Sequence, residues 1–149
     1  MNLFFDVDYT LLGVDGSLRP GTKETFLKLK EDGHTLYVWS GIGVRTQEVQ
    51  KHGLSDMIAG VYRKPLEDFE KGIQEIGVPV WPDLVVDDYP EIVIALGGIQ
   101  VKPYYFARYS DKEMERIYRM IREYAVSGFC DDPSFKLPPK SHNGHAGKP

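Results

Sequence analysis

Near the start of the chain Asp6 and Asp8 are separated by a single residue, and Thr10 follows at the same spacing. Two carboxylates this close repel and resist joint ionisation, so a strand that merely ends in polar residues explains one of them easily and two poorly. A cation is expected beside them. A second acid pair, Asp87-Asp88, stands far along the chain, with Ser40 and Lys64 in between. Carboxylate pairs, a hydroxyl and an amine are the parts needed to move a phosphoryl group. All-oxygen ligands of this kind suit Mg²⁺, which keeps several waters and takes one or two carboxylates together with substrate phosphate. A carboxylate left free of the metal is a candidate nucleophile, and a neighbour can shuttle a proton. Lysine and serine would hold the oxygens of the transferring group, whose charge spreads over three atoms.

Each of these residues follows an apolar run. Residues 2–6 read as a strand whose continuous Leu3-Phe4-Phe5 suits a central position covered on both faces. Strand alternation would send Asp6 and Asp8 to one side of the backbone. Residues 34–40 form a second strand ending at Ser40-Gly41, residues 57–62 a weaker third ahead of Lys64, and residues 84–88 a fourth ending in the acid pair. Helices are expected over 22–32, with Thr22 as N-cap, from Val44 to about His52, and over 66–76 with Pro65 at the first position. Residues 11–20, holding the turn dipeptide Asp15-Gly16, read as a hairpin or flap. Residues 91–96 fit either a strand or a helical turn, residues 99–102 a short strand, and Asp111 N-caps a last helix over 112–126. This alternation predicts an α/β fold, a mainly parallel central sheet with helices on both faces, its functional groups beyond the carboxyl ends of the strands.

The four stretches together resemble the haloacid dehalogenase (HAD) superfamily of phosphohydrolases. Asp6, Asp8 and Thr10 match its first motif, DxDxT after an apolar strand; Tyr37-Val38-Trp39-Ser40-Gly41 matches the second. Lys64 in Arg63-Lys64-Pro65 matches the third, and Val85-Val86-Asp87-Asp88 the fourth, in the family's order. The resemblance implies a three-layer, Rossmann-like α/β/α sandwich and a Mg²⁺-dependent phosphatase. It implies that Asp6 attacks phosphorus to form an aspartyl-phosphate, that Asp8 protonates the leaving oxygen and then activates water, and that Thr10 braces the loop. Ser40, the Gly41 amide and Lys64 would bind the phosphate. Mg²⁺ would be held by the Asp6 carboxylate, the Asp8 carbonyl and the closing acids, Asp88 directly and Asp87 behind it, though the two could exchange. The intervals from Asp8 to Ser40 and from Ser40 to Lys64 are too short for a cap domain. The chain therefore resembles capless members, which act on large substrates or use a neighbouring subunit as lid; otherwise the flap must exclude water.

With 149 residues the chain suits one domain, here residues 1–128, followed by a Pro-, Lys- and His-containing tail over 129–149 with little expected structure. A net charge of −4 gives no basic field for nucleic acid, and no apolar run approaches a membrane span. The N-terminus has no signal-peptide pattern and Cys130 stands alone, which fits the cytoplasm. The expected partner is a phosphorylated small molecule or macromolecule, with a second copy of the chain as a possible cover. Gly41-Ile42-Gly43 is a tight turn rather than a dinucleotide loop, since Thr46 replaces the third glycine. Arg45 reads as a solvated helix residue more readily than as an anion ligand, His34 and His52 as capping or solvated, and residues 104–109 as a core edge rather than a stacking surface. A tail rich in Lys and His (Lys136, Lys140, His142, His145, Lys148) reads as solvated rather than polyanion-binding. A phospho-acceptor of the response-regulator kind is disfavoured because the lysine precedes the second acid pair. A binding protein that retains the site without using it is the remaining alternative.

Overall fold

The first strand, β1 (Asn2–Asp6), explains its own composition. Leu3 and Phe5 enter one core cluster, and Phe4, between them, enters another on the opposite face. Its neighbours β2 (Thr35–Ser40) and β4 (Leu84–Asp87) divide in the same way: Leu36, Val38, Leu84 and Val86 face one side, Tyr37, Trp39 and Val85 the other. A strand buried on both faces needs apolar residues at every position, which is why no hydrophobic–polar alternation is visible. In register, Phe4 lies opposite both Tyr37 and Val85, and its ring stacks on Tyr37 at 4.7 Å.

The computed structural model describes residues 1–139. Its six strands run in the order β3-β2-β1-β4-β5-β6, where β3 is Gly60–Arg63, β5 Gly98–Gln100 and β6 Phe135–Lys136. All pairings are parallel except β5 with β6. The result is an α/β fold of Rossmann-like character. Helices α1 (Thr22–Glu31), α2 (Thr46–Lys51) and α5 (Glu113–Ser127) supply Phe26, Leu29, Val49, Met114, Ile117 and Ile121 to the first cluster. Helices α3 (Phe69–Ile76) and α4 (Pro90–Leu96) supply Ile73, Ile92, Val93 and Leu96 to the second. Among the described residues no helix is long and apolar enough to cross a membrane.

Several boundaries differ from the sequence expectation, each for a local reason. Thr22 is the first helical residue of α1, not its cap; its hydroxyl donates to the Arg19 carbonyl at 2.8 Å, and left-handed Gly21 turns the chain in. The third strand begins at Gly60, because residues Ser55–Met57 form a 3-10 turn. Helix α3 starts at Phe69 instead of residue 66, and Leu66 is exposed. Pro65 packs on α3 rather than opening it: a Cβ on Gly72 would lie 2.5 Å from the Pro65 Cβ. The ambiguous stretch 91–96 is helical. Lys112, not Asp111, stands at the N-cap of α5, which starts at Glu113; the Asp111 carboxylate, one residue earlier, accepts from the Glu113 amide at 3.1 Å.

Two further expectations change. Of residues 104–109 only Tyr104 is a buried aromatic; Tyr105, Phe106 and Tyr109 are exposed. The stretch from 129 onward is less bare than expected: Cys130 and Phe135 are buried, and Phe135 meets Tyr124 at 5.1 Å and pairs with Ile99. Two apolar side chains there suffice to attach a short edge strand that composition alone hides. The basic end with Lys140, His142, His145 and Lys148 lies outside the described residues.

Candidate phosphoryl-transfer site

Parallel strands all end on one edge of the sheet, so the residues that follow them meet there. Asp6 closes β1, Ser40 closes β2, Lys64 follows β3 and Asp87 closes β4. The Lys64 amide donates to the Ser40 carbonyl at 2.9 Å, which fixes the lysine beside the second strand. Its ammonium donates to Asp6 Oδ1 and to Asp87 Oδ2, each at 2.9 Å. The second oxygen of Asp6 accepts from the Thr10 hydroxyl at 3.1 Å, which also lies 3.4 Å from Asp88 Oδ1. The second oxygen of Asp87 accepts from the Tyr89 amide at 2.9 Å.

The loop after β1 makes this possible through a strained residue. Tyr9 has a left-handed backbone, φ 65°, uncommon for a residue with a large side chain. Its amide donates to the Leu12 carbonyl at 2.8 Å, and the amides of Thr10, Leu11 and Leu12 all converge on the Val7 carbonyl. This tight turn carries Thr10 back beneath Asp6. Tyr9, between the matched aspartates, has no sequence assignment; here it is the pivot of the turn, held by the Tyr104 amide on its carbonyl at 2.8 Å and by ring contact with Tyr105.

Burial first, and then the neighbouring Asp87 charge, push Asp6 well above the usual carboxylate range, against the pull of Lys64. Burial likewise raises Asp87 to about 6, again opposed by Lys64. Burial works to lower Lys64, but Asp6 and Asp87 outweigh it and raise the ammonium's affinity for its proton. One ammonium thus serves two buried carboxylates with a third, Asp88, beside them. Oxygen atoms of Asp6, Asp87 and Asp88 lie within 4.8 Å of one another, a group that could hold a metal ion.

The Asp8 carboxylate stands outside that group. Its Oδ2 accepts from Arg45 Nη1 at 2.6 Å, and the same nitrogen lies 3.4 Å from Ser40 Oγ. Arg45 Nε also pairs with the Glu48 carboxylate. Arg45 is therefore not the solvated helix residue expected: its side chain is 14% exposed and lines the cleft. The signal was its place five residues after Ser40, with Glu48 three further on to hold it. His52 and Lys51 line the same wall.

These groups open into a cleft of about 860 Å³. Asp6, Asp8, Asp88, Ser40, Gly41 and Lys64 face it, whereas Asp87 lies behind them. Tyr9, Leu12, Val14, Ile42, Leu66, Phe69 and Tyr89 form its apolar walls. The flap contributes Leu12, Gly13, Val14 and Gly16 and is tethered from beneath. The Val14 amide donates to the Tyr105 carbonyl at 2.7 Å, and Asp15 accepts from the Ser17 and Ala107 amides. A fully buried arginine, Arg19, anchors the flap's far end: it donates to the carbonyls of Thr10 and Lys102 and pairs with Asp111 at 2.9 Å. Of the sequence-predicted residues, Asp6, Asp8, Ser40, Gly41, Lys64 and Asp88 thus line one cleft, Thr10 and Asp87 sit buried behind them, and Asp8 is paired apart from the other acids. No protein-family model, curated protein or solved structure matches this chain.

Proposed function

We propose that this protein is a Mg²⁺-dependent phosphomonoester hydrolase of the haloacid dehalogenase type, a three-layer α/β/α sandwich without a cap domain, working through an aspartyl-phosphate on Asp6. The observation that carries the reading is the Asp6–Lys64 pair on the floor of an open cleft, backed by buried Asp87, with Asp8 and Ser40 at its side. The spacing supports a capless architecture: between Asp8 and Ser40 there are only the flap, α1 and β2 itself, and between Ser40 and Lys64 only α2, the 3-10 turn and β3.

A carboxylate oxygen of Asp6 attacks phosphorus while the bond to the leaving oxygen breaks. Asp8 gives that oxygen its proton, releasing an alcohol. Asp8 then takes a proton from water, whose oxygen attacks the aspartyl-phosphate; inorganic phosphate leaves and Asp6 is restored. Ser40 and Lys64 hold the phosphoryl oxygens as charge develops on them. Thr10 and Lys64 orient Asp6 from either side.

The donor set fits a hard divalent cation, because oxygens of three carboxylates converge within 4.8 Å while one ammonium pairs with only two of them. Asp6, Asp88 and the Asp8 carbonyl would hold Mg²⁺. Asp87 is better suited to support from behind, since it does not face the cleft as Asp6 and Asp88 do. When bound, the ion neutralises the carboxylates and draws electron density from the phosphoryl oxygens. The substrate is a phosphorylated small molecule or the phosphorylated end of a larger one, and a second copy of the chain is the candidate cover for the open site.

The test is hydrolysis of p-nitrophenyl phosphate with Mg²⁺, expected to vanish with chelator and with Asp6→Asn. Activity that survives Asp6→Asn would remove Asp6 as nucleophile.

A further inference from the structure

Two of the cations that line the cleft, Lys64 and Arg45, are held differently. Lys64 is locked between two buried carboxylates, Asp6 and Asp87. Arg45 is held by Glu48 through Nε and by Asp8 through Nη1, and the Asp8 side chain is 36% exposed. With about a third of the Asp8 side chain open to solvent, this pair exchanges more readily than the buried pairs of Lys64. The same Arg45 Nη1 reaches to 3.4 Å from Ser40 Oγ, the hydroxyl assigned to a phosphoryl oxygen. Glu48, three residues on, holds the guanidinium through Nε, while Nη1 reaches Asp8 and Ser40, both of which line the cleft. A planar fork presented this way holds two donors in the parallel geometry that two oxygens of one phosphate offer, which an ammonium does not preset.

We propose that Arg45 is a phosphate-binding residue that exchanges partners: it holds Asp8 in the resting site and, when a phosphoryl group seats on Ser40, turns to its oxygens and releases Asp8 for the leaving group. This rests on the phosphomonoester reading above. The exchange needs no backbone movement, because Asp8 Oδ2 and Ser40 Oγ both already lie around one nitrogen. It gives Asp8 a reason to stand apart from the carboxylate group of Asp6, Asp87 and Asp88.

The experiment uses the full chain with Mg²⁺ and measures inorganic phosphate binding by calorimetry, beside p-nitrophenyl phosphate kinetics. Arg45→Ala is expected to weaken phosphate about tenfold or more, the loss of one charge-assisted contact. Arg45→Lys should recover part of it by restoring charge without the fork. Lys51→Ala, which removes a charge from the same wall, should stay within about twofold, as expected of a solvated charge. Phosphate bound equally by Arg45→Ala and wild type overturns the proposal, as does an equal loss in Lys51→Ala, or no phosphate binding by wild type. Hydrolysis that needs Asp6 but ignores Arg45→Ala sinks the Arg45 role alone. Phosphate binding that depends on Arg45 without any hydrolysis sinks the hydrolase reading and leaves the Arg45 site standing.

Discussion

Lys64 Nζ lies 2.9 Å from Asp6 Oδ1, joining the residue after β3 to the last residue of β1 across the intervening β2. The ammonium is shared with Asp87, so one side chain compensates two buried acids from two other strands. Removing it leaves both without a counter-charge.

Lys64→Met is therefore expected to destabilise the fold by about 3–5 kcal/mol at pH 8, the range for breaking a buried ion pair from one side. At pH 5 the loss should be smaller, because Asp6 and Asp87, both raised, take up protons in place of the lost cation. Urea unfolding at the two pH values checks this; an equal loss at both would show that the lysine acts only through packing.

The raised Asp87 carboxyl gives a pH dependence of definite sign. Between 3.8 and about 6 the folded chain holds a proton there that the unfolded chain has released. Stability contributed by this group without metal therefore falls as pH rises through that window and stays low above it. Asp87→Asn should flatten that limb, so the difference in melting temperature between variant and wild type grows in the variant's favour from pH 4 to pH 7. Added Mg²⁺ should raise the wild-type melting temperature more at pH 8 than at pH 5, where protons compete for its ligands.

Arg19 and Asp111 form a buried pair behind the site, binding the flap to the start of α5. Arg19→Met should cost about 3 kcal/mol, since Asp111 would be left buried with only the Glu113 amide and the 3.3 Å contact of exposed Arg108 as partners. Burial works to raise Asp111, but Arg19 beside it holds the carboxyl below the usual range. Its contribution is present above the unfolded value of 3.8 and is lost as pH falls through the lower folded value. Acid unfolding should thus begin at higher pH in Arg19→Lys, which cannot keep both forked contacts, than in wild type.

Gly98 opens β5 with φ 149°, and a Cβ there would lie 1.9 Å from the Val85 carbonyl oxygen. Gly98→Ala is expected to force β5 away from β4 and to cost upward of about 3 kcal/mol, beyond ordinary overpacking. Denaturant unfolding measures it; a near-neutral result would mean that the β4–β5 approach relaxes freely.

Most of the strand plan was legible because buried parallel strands write themselves as unbroken apolar runs, as Leu3-Phe4-Phe5 and Leu84-Val85-Val86 do. Less was legible where one residue decides the outcome. Pro65 looked like a helix start, yet it packs on Gly72 and delays α3 to Phe69. Phe135 was read as part of a bare tail, yet its one ring seats against Tyr124 and carries β6 onto the sheet edge. The Phe135–Ile99 pairing joins residues far apart in the chain, and the Pro65–Gly72 contact, though short in sequence, depends on how the chain turns between Pro65 and α3.

The sequence by itself determined which residues follow the strand ends: Asp6 and Asp8, Ser40, Lys64, and Asp87 with Asp88. It determined this because strand ends are set by local apolar runs and the polar residues that stop them. Only the tertiary structure decided how those residues share charge. Parallel register brings Asp6 and Asp87 to one ammonium, turns Asp87 away from the cleft, and leaves Asp8 to Arg45. Those pairings are set by distances of a few ångströms between separate strands and loops, and Coulomb and hydrogen-bond energies depend on such distances, not on order along the chain.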